Sequence, residues 1–292
     1  MERPEALTSP IVFASPHSGQ AFTADFSDAC IADIMDIRRI EDAYVDQLVG
    51  NATKLGAPLI AANVSRACLD LNRAANEIDQ AMLSKPIEYP RPHRTPRVIA
   101  GLGCIPRVAF AGSPIYGRKL APEDVFERLE SVYHPYHNTL ETLIDKTRKT
   151  FGMSILVDCH SMPSQTETGA PVADIVLGDR YGAACSEQII KQLETSFRTR
   201  GYQVARNAPY AGGHVTVMHG RPDRQRHAVQ IEINRRLYLD EHRVMLTNGF
   251  KALQQDLDKI FNELHVFAGE LAQGRKLKSL VSRAPGKRKA AP

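Results

Sequence analysis

The stretch Ser154–Met162, with the sequence SILVDCHSM, determines how the chain is organised. Its apolar run Ile155–Val157 predicts a buried strand. The run ends abruptly in Asp158–Ser161, four side chains that can bind a metal or transfer a proton. Ligands of open α/β sheets bind at the carboxyl ends of the strands. We therefore expect the end of this strand to form one edge of an active site.

Composition excludes several classes of protein. The chain has 292 residues, of which 43% are hydrophobic and 24% are charged, as in ordinary globular proteins. It has no apolar run long enough to span a membrane, and Met1–Glu5 lacks the pattern of a signal peptide. Its five cysteines are scattered and form no CxxC pair, so neither a disulfide framework nor a thiolate zinc site is indicated. We expect a cytoplasmic protein without a membrane partner.

Basic residues are concentrated near the C-terminus. The net charge is only +4, and seven Lys and Arg residues fall between positions 275 and 289. A protein that binds nucleic acid would use such a segment, but a solvated terminus explains it more simply. We predict one catalytic domain over residues 1–274, a flexible basic tail over 275–292, and no nucleic-acid partner.

Strands and helices alternate along the whole chain. This alternation predicts a single α/β sheet with helices on both faces. The expected helices cover residues 28–56, 122–151, 183–199 and 240–270, and the expected strands are Ile11–Ala14, Leu59–Val64, Ile155–Val157, Asp174–Asp179, Tyr202–Ala205 and His227–Asn234, with a further short strand at Val215–Met218.

The segment between residues 84 and 119 shows little periodicity. It is rich in Pro and Gly, and it carries Arg91, Arg94, Arg97 and Arg107. Long irregular segments in compact domains are usually functional or disordered. We expect an ordered flap that can cover the substrate and contribute one arginine to substrate binding.

A second histidine follows a strand in the same way as His160. His17 comes directly after the predicted strand Ile11–Ala14, so both histidines can meet at the carboxyl edge of the sheet. Histidines and a carboxylate are typical ligands of catalytic zinc. Glu232 lies within an apolar strand, where burial would raise its pKa and suit it to activate water. Arg66 is a candidate for stabilising an oxyanion, so the residues indicate metal-dependent hydrolysis of an anionic acyl compound.

Other reactive residues have simpler explanations. His134 and His137 have metal-ligand spacing on a helix, but packing on that helix is the favoured interpretation. Cys159 should point to the face of the strand opposite His160, since neighbours in a strand alternate. It is therefore expected to be a core residue and not a nucleophile.

Six short motifs follow one another between about residues 11 and 240. They are Ser15-Pro16-His17-Ser18-Gly19, Glu41-Asp42-Ala43-Tyr44-Val45-Asp46, Ser65-Arg66 with Asp70-Leu71-Asn72-Arg73, Asp158-Cys159-His160-Ser161, Pro209-Tyr210-Ala211-Gly212-Gly213, and Gln230-Ile231-Glu232. Each is weak alone, but together they resemble the N-formylglutamate amidohydrolase family. That family is similar in turn to the zinc carboxypeptidases and aspartoacylases.

The resemblance implies a fold and a set of site residues. The fold would have three layers, α/β/α, around a central mixed sheet, as in zinc carboxypeptidases. His17 and His160 would bind zinc, and Glu232 would be the general base. Asn72 and Arg73 would hold a substrate carboxylate. Arg66 would stabilise the oxyanion. Gly212 and Gly213 would let the backbone approach the substrate closely.

One metal ligand departs from the carboxypeptidase pattern. In that pattern a glutamate follows the first histidine by three residues, whereas this chain has Gln20 there. The acidic motif of the formylglutamate family implies Asp42 as the third ligand, with Glu41 as the alternative. Asp42 and Asp46 are expected on one face of the helix over residues 28–56.

The expected activity is hydrolysis of N-formyl-L-glutamate to formate and L-glutamate, a step of the histidine degradation type. Zinc is the expected metal, although such ligands also accept cobalt, manganese or iron. A related deacylase of another N-acyl amino acid is one alternative. A non-catalytic protein that binds polyanions or RNA through its arginines and basic tail is the alternative from another class.

Overall fold

A six-stranded mixed sheet forms the centre of the computed structural model. Its strand order is β2-β1-β3-β6-β4-β5. Neighbouring strands are parallel except for β4 and β6, which are antiparallel. The strands are β1 Ile11–Ser15, β2 Leu59–Ala61, β3 Ser154–Met162, β4 Ile175–Gly178, β5 Val204–Arg206 and β6 Arg226–Asn234, and a separate hairpin consists of β7 Leu239–Asp240 and β8 Met245–Leu246.

Helices cover both faces of the sheet. They are α1 Ala24–Ala29, α2 Ile34–Ile40, α3 Val45–Leu48, α4 Pro96–Ile99, α5 Pro122–Arg128, α6 His134–Phe151, α7 Glu187–Arg198, α8 His214–His219 and α9 Gly249–Arg283. Residues of α3, α7 and α9 pack on one face, and residues of α1, α2, α5, α6 and α8 pack on the other. The predicted three-layer α/β/α architecture with a mixed sheet is therefore confirmed.

The alternation of side chains along β3 separates the two layers. Ile155, Val157 and Cys159 belong to the core beside α9, whereas Leu156 belongs to the core beside α6. Since side chains in a strand alternate between faces, Asp158 and His160 lie on the side of Leu156. Cys159 is a buried core residue, as expected.

The predicted helix over residues 28–56 is wrong, because this part of the chain forms α2, α3 and a 3-10 helix at Gly50–Leu55. α2 ends because arginines elsewhere in the chain bind its last carbonyl oxygens, which a longer helix would use itself. Arg235 donates to the carbonyl oxygens of Arg39 and of Glu41, the residue after α2, at 2.8 and 2.7 Å, and Arg66 donates to the Ile40 carbonyl oxygen at 3.3 Å. Asp42 consequently lies in a loop and shares no helix face with Asp46.

The predicted strand at Val215–Met218 is also wrong, since these residues belong to α8. Side chains distant in sequence bind the free N–H groups at the beginning of this helix. Val215 N donates to Asn72 Oδ1 at 2.9 Å, and Gly213 N donates to Gln230 Oε1 at 2.7 Å. These contacts outweigh the β propensity of the two valines and the threonine.

The predicted helix over 122–151 begins and ends as expected, but it contains a π-helical turn at Leu129–Tyr133 between α5 and α6. The last helix begins at Gly249, later than expected, because residues 239–246 form the β7–β8 hairpin.

The structure describes residues 1–88, 91–166 and 168–283, with side chains as far as residue 274. The basic tail predicted for 275–292 lies outside the residues with described side chains. Within the described part of the chain, no helix combines the length and the apolar character needed to cross a membrane.

Candidate active site

The carboxyl ends of β1, β3 and β6 meet at one edge of the sheet. The three strands are adjacent and parallel, and His160 on β3 is directly opposite Glu232 on β6. His17 follows β1 by two residues and lies next to His160, with ring centroids 4.8 Å apart. These side chains line a cavity of about 960 Å³. The sheet thus brings the two strand-end histidines together with Glu232.

His17, Asp42 and His160 form a buried group in which three ligating atoms lie within 4.8 Å of one another. Oδ2 of Asp42 is 3.2 Å from His17 Nδ1 and 2.9 Å from His160 Nδ1. The loop that carries Asp42 is held against the segment that follows β1, since Asp42 N donates to the His17 carbonyl oxygen at 3.0 Å. Two imidazole nitrogens and one carboxylate oxygen form a donor set that suits zinc.

The outer nitrogen of each imidazole faces another carboxyl group. His17 Nε2 is 2.7 Å from Asp70 Oδ1, and His160 Nε2 is 3.1 Å from Asp158 Oδ2. Burial raises the pKa of Asp70, but the charges of Arg66 and His17 outweigh burial and hold that pKa well below its usual value. An ionised carboxylate only accepts hydrogen bonds, so His17 Nε2 carries the hydrogen.

The other ring nitrogen of His17, Nδ1, faces Asp42, as does Nδ1 of His160. The pKa of Asp42 is also held well below its usual value, because hydrogen bonds from His160 and His17 outweigh the opposing effect of burial. Both Nδ1 atoms thus lie within 3.2 Å of the ionised Oδ2 of Asp42, and a cation bound by these three atoms would replace the hydrogens between them. The residues thus fit a bound divalent metal.

Charge in the surroundings supports the same conclusion. Four carboxyl groups lie around the two imidazoles, and among the residues with described side chains two guanidinium groups, those of Arg66 and Arg235, form close ion pairs with these carboxyl groups. A cation bound by the two imidazoles would therefore be surrounded by more carboxyl groups than guanidinium groups. The four carboxyl groups are those of Asp42, Asp70, Asp158 and Glu232.

Glu41, the alternative third ligand, has other partners. Ser65 Oγ donates to its Oε1 at 2.7 Å, and Arg38 Nη1 is 2.7 Å from its Oε2. Burial, the largest influence, raises the pKa of Glu41 to about 7. Asp42, and not Glu41, therefore shares the cluster with the two histidines.

Glu232 is buried beside this cluster with one clear partner. Gln230 Nε2 donates to Glu232 Oε1 at 2.6 Å, and the backbone N of Gly213 holds Gln230 from the other side. Burial raises the pKa of Glu232, and the nearby charge of His160 opposes this only in part. A carboxylate with a raised pKa at the edge of a cavity has the properties of a general base.

The predicted anion-binding residues also line the cavity, although each has protein partners. Arg66 Nη2 donates to Asp70 Oδ2 at 2.6 Å. The side chain of Arg73 donates to the carbonyl oxygens of Leu102 and Asn72, at 3.1 and 3.0 Å. Asn72 binds α8 through Oδ1, and its Nδ2 is 3.2 Å from His160 Nε2.

The two predicted glycines border the cavity where the chain packs tightly. Gly212 has φ of +127°, and a Cβ added at Gly213 would lie 2.2 Å from Asn72 Nδ2. Gly213 thus permits the close approach of Asn72. His137, a weaker candidate, is buried away from the metal cluster and bonds through Nε2 to the Leu71 carbonyl oxygen at 3.0 Å.

Sequence reasoning assigned no role to three residues of this site. Asp70 orients His17, Gln230 orients Glu232, and Arg235 holds the Asp42 loop and donates to Asp42 Oδ1 at 3.2 Å. Asp70 lies four residues after Arg66, and Gln230 lies two residues before Glu232 on the same strand face. This spacing was a usable signal for both, whereas nothing in the sequence connects Arg235 with Asp42.

Comparison with known proteins identifies relatives over most of the chain. Residues 9–239 match the sequence profile of the family described as N-formylglutamate amidohydrolase. The N-formylglutamate deformylase of Pseudomonas putida is 30% identical over 237 residues, which cover 80% of this chain and 82% of that protein. The N-formylglutamate deformylase of Pseudomonas aeruginosa is 30% identical over 258 residues, covering 85% of this chain and 91% of that protein.

A solved structure shares both sequence and fold. The crystal structure of N-formylglutamate amidohydrolase from Ralstonia eutropha JMP134 has a TM-score of 0.83 and 34% identity, and the match covers 93% of this chain and 95% of that one. The sequence profile, the relatives and this structure agree with one another.

Proposed function

Because the chain belongs to the N-formylglutamate amidohydrolase family, we propose that it hydrolyses N-formyl-L-glutamate to formate and L-glutamate with one bound divalent metal, zinc in the first instance. The observation that carries this proposal is the buried His17-Asp42-His160 group beside Glu232, in a cavity lined by arginines. Residues 1–274 would form the catalytic domain. The five unpaired cysteines agree with a reducing cytoplasm.

The metal would be held by His17 Nδ1, His160 Nδ1 and Asp42 Oδ2, the three atoms that converge. When bound, a divalent metal supplies Lewis-acid chemistry, which polarises a carbonyl oxygen and lowers the pKa of a bound water. Asp70 would keep the imidazole of His17 in the tautomer that leaves Nδ1 free for the metal.

Glu232 would act as the general base. Its carboxylate would take a proton from the attacking water and deliver it to the leaving nitrogen, so that the C–N bond breaks and formate and an amine are released. Gln230 holds Oε1 at 2.6 Å, which leaves Oε2 for this proton. The raised pKa of Glu232, caused mainly by burial, suits both halves of the transfer.

Arginines would balance the negative charges of substrate and transition state. Arg66 would stabilise the oxyanion that develops on the formyl oxygen, a contribution of about 3–4 kcal/mol for a preorganised donor. Arg73 and Asn72 would hold the α-carboxylate, and the loop of Gly212 and Gly213 would border the substrate.

A substrate panel tests this function. N-formyl-L-glutamate is compared with N-formyl-L-aspartate and with N-acetyl-L-glutamate, while release of formate or acetate is measured. We expect the formyl-glutamate compound to have the highest kcat/KM. Preference for another acyl group or amino acid would establish the related deacylase instead, and absence of hydrolysis of all three compounds would contradict the enzymatic proposal. Binding of RNA with a steep salt dependence would then support the polyanion alternative.

A further inference from the structure

The cavity is lined by five arginines, and four of them donate hydrogen bonds to protein oxygens. Their acceptors are the His242 carbonyl oxygen for Arg39, Asp70 for Arg66, the Leu102 carbonyl oxygen for Arg73, and the Glu41 carbonyl oxygen for Arg235. The fifth is Arg97, whose guanidinium has no acceptor among the residues whose side chains are described. Arg97 is exposed at the border of the cavity, and its charge forms no ion pair within the described part of the fold.

The position of Arg97 is fixed although its guanidinium is free. Arg97 lies on α4, where Thr95 accepts a hydrogen bond from Val98 N at 3.2 Å and the side chain of Val98 is buried. Thr95 Oγ1 in turn donates to Glu77 Oε1 at 2.9 Å. α4 is thereby anchored to the body of the protein, so Arg97 is presented at a defined place on the cavity wall.

Backbone contacts place Arg97 next to Arg73. Leu102 N donates to the Arg97 carbonyl oxygen at 2.8 Å, and Arg73 Nε donates to the Leu102 carbonyl oxygen at 3.1 Å. Arg73 and Arg97 are therefore both hydrogen-bonded to the backbone of Leu102. Burial lowers the pKa of Arg73, and the positive charges of Arg66 and Arg97 act in the same direction.

Two neighbouring cations on a cavity wall repel each other unless an anion lies between or beside them. Arg73 donates its side-chain hydrogen bonds to two backbone carbonyl oxygens, and Arg97 donates none among the described residues. A guanidinium presents paired N–H groups that match a carboxylate. The Arg73–Arg97 pair thus suits a ligand with two carboxylates better than a ligand with one.

We propose that Arg97 determines specificity by binding the side-chain carboxylate of the substrate, while Arg73 holds the α-carboxylate. This inference rests on the proposed function, because it assigns the second carboxylate of that substrate. It also gives the segment between residues 84 and 119 a chemical role, since this segment carries the charge that distinguishes a dicarboxylic substrate from a neutral one.

The test compares Arg97→Ala with the unaltered protein on two substrates of nearly equal size, N-formyl-L-glutamate and N-formyl-L-glutamine. The second compound has an amide in place of the side-chain carboxylate. The measured quantity is the ratio of the two kcat/KM values. Loss of one charge-assisted contact should lower this ratio about 10- to 100-fold, mainly through KM for the dicarboxylate.

Arg94→Ala is the matched control. Arg94 is an exposed arginine of the same segment, but it lines a different cavity beside Asp79 and Met82. This variant should keep the ratio of the unaltered protein. Arg97→Lys should retain part of the preference, because it keeps the charge and loses the paired N–H groups.

The outcomes separate the inference from the proposed function. An Arg97→Ala protein that keeps the full preference for formylglutamate would overturn the inference and leave the hydrolase intact. An unaltered protein that hydrolyses both substrates equally well would overturn it too. A protein that hydrolyses neither compound would contradict the proposed function itself.

Discussion

At the scale of single residues, the site depends on how two imidazoles are oriented. Each uses one nitrogen toward Asp42 and the other toward an outer carboxyl group, Asp70 for His17 and Asp158 for His160. The hydrogen bond between His17 Nε2 and Asp70 fixes the His17 ring, whereas His160 Nε2 lies near both Asp158 and Asn72 Nδ2. The affinity for a metal should therefore depend on residues that do not touch it.

Asp70→Asn tests this dependence. A carboxylate can only accept a hydrogen bond from His17 Nε2, whereas an amide can also donate one, so Nε2 need not carry a hydrogen in this variant. Arg66 also loses its ion pair with Asp70, at 2.6 Å. We expect the affinity for zinc to fall about 10- to 100-fold, as measured by competition with a fluorescent chelator. Asp79→Asn is the control, since Asp79 pairs with Arg107 elsewhere. Equal affinities for the Asp70 variant and the unaltered protein would show that the outer carboxylate has no such effect.

Glu232→Gln tests the general base. The amide keeps the size of the side chain but cannot accept a proton, so kcat should fall about 100- to 10,000-fold. Metal content should remain near that of the unaltered protein, because Glu232 is outside the group of three ligating residues. The assignment of the base is wrong if the variant binds metal and turns over at the normal rate.

Residues at strand ends were the most predictable part of the site. His17, His160 and Glu232 follow or lie within apolar runs, so the sheet itself dictates where they meet. Asp42 was predicted only through the resemblance, and on a helix that does not exist. Its position depends on Arg235, which is 193 residues away in sequence. No local pattern encodes a contact of that kind.

At the scale of elements, helices behind the site hold the loop that carries Asn72 and Arg73, the two residues proposed to bind the substrate. Tyr133, in the π-helical turn, donates to the Arg73 carbonyl oxygen at 2.9 Å, and its oxygen is 3.1 Å from His214 Nε2. His137 on α6 contacts the Leu71 carbonyl oxygen. π-Helical turns often occur at functional positions, and here the turn positions the loop that carries Asn72 and Arg73.

Tyr133→Phe should loosen this loop. The change removes one hydrogen bond to the Arg73 carbonyl oxygen and leaves His214 Nε2 without its partner. We expect KM for N-formyl-L-glutamate to rise about 3- to 10-fold, equivalent to roughly 1 kcal/mol for one hydrogen bond, with a smaller change in kcat. Tyr202→Phe is the control, because Tyr202 OH bonds to Asp256 away from the cavity. Unchanged KM in the Tyr133 variant would exclude this positioning role.

Elements whose ends are bound by distant side chains were predicted poorly. The residues of α8 have the composition of a strand, but Asn72 and Gln230 bind its first N–H groups. α2 ends where arginines bind its carbonyl oxygens. The six strands of the central sheet were each predicted at their place in the chain, because a continuous apolar run in a buried sheet is a local signal.

At the scale of the whole molecule, an ion-pair network joins three elements at the edge of the sheet away from the metal cluster. Glu141 on α6 is 2.9 Å from His219 Nδ1 on α8 and 2.6 Å from Arg226 on β6. Hydrogen bonds from His219 and Arg226 lower the pKa of Glu141 from 4.5 to about 2. The folded state thus favours the ionised carboxylate.

This network predicts a pH-dependent contribution to stability. A lowered folded-state pKa stabilises the fold above pH 4.5, and the contribution is lost as the pH falls from 4.5 toward 2. Glu141→Gln should lower the free energy of unfolding by about 1 kcal/mol at pH 6, a value reduced for solvent screening of a partly exposed side chain. The difference should shrink as the pH is lowered toward 2 in denaturant titrations.

Glu127→Gln is the control for this experiment, because Glu127 is exposed on α5. It should change stability little at either pH. A Glu141→Gln difference that stays constant between pH 6 and pH 2 would show that the ion pairs do not cause it.

The central claim concerns the whole site, namely that one metal at His17, Asp42 and His160 is required for hydrolysis. The most direct measurement treats the full-length protein with a chelator and follows formate release from N-formyl-L-glutamate as zinc is added back. We predict no turnover after chelation and recovery that reaches its maximum at one equivalent. Full turnover by the chelated protein, with metal confirmed absent, would contradict the claim.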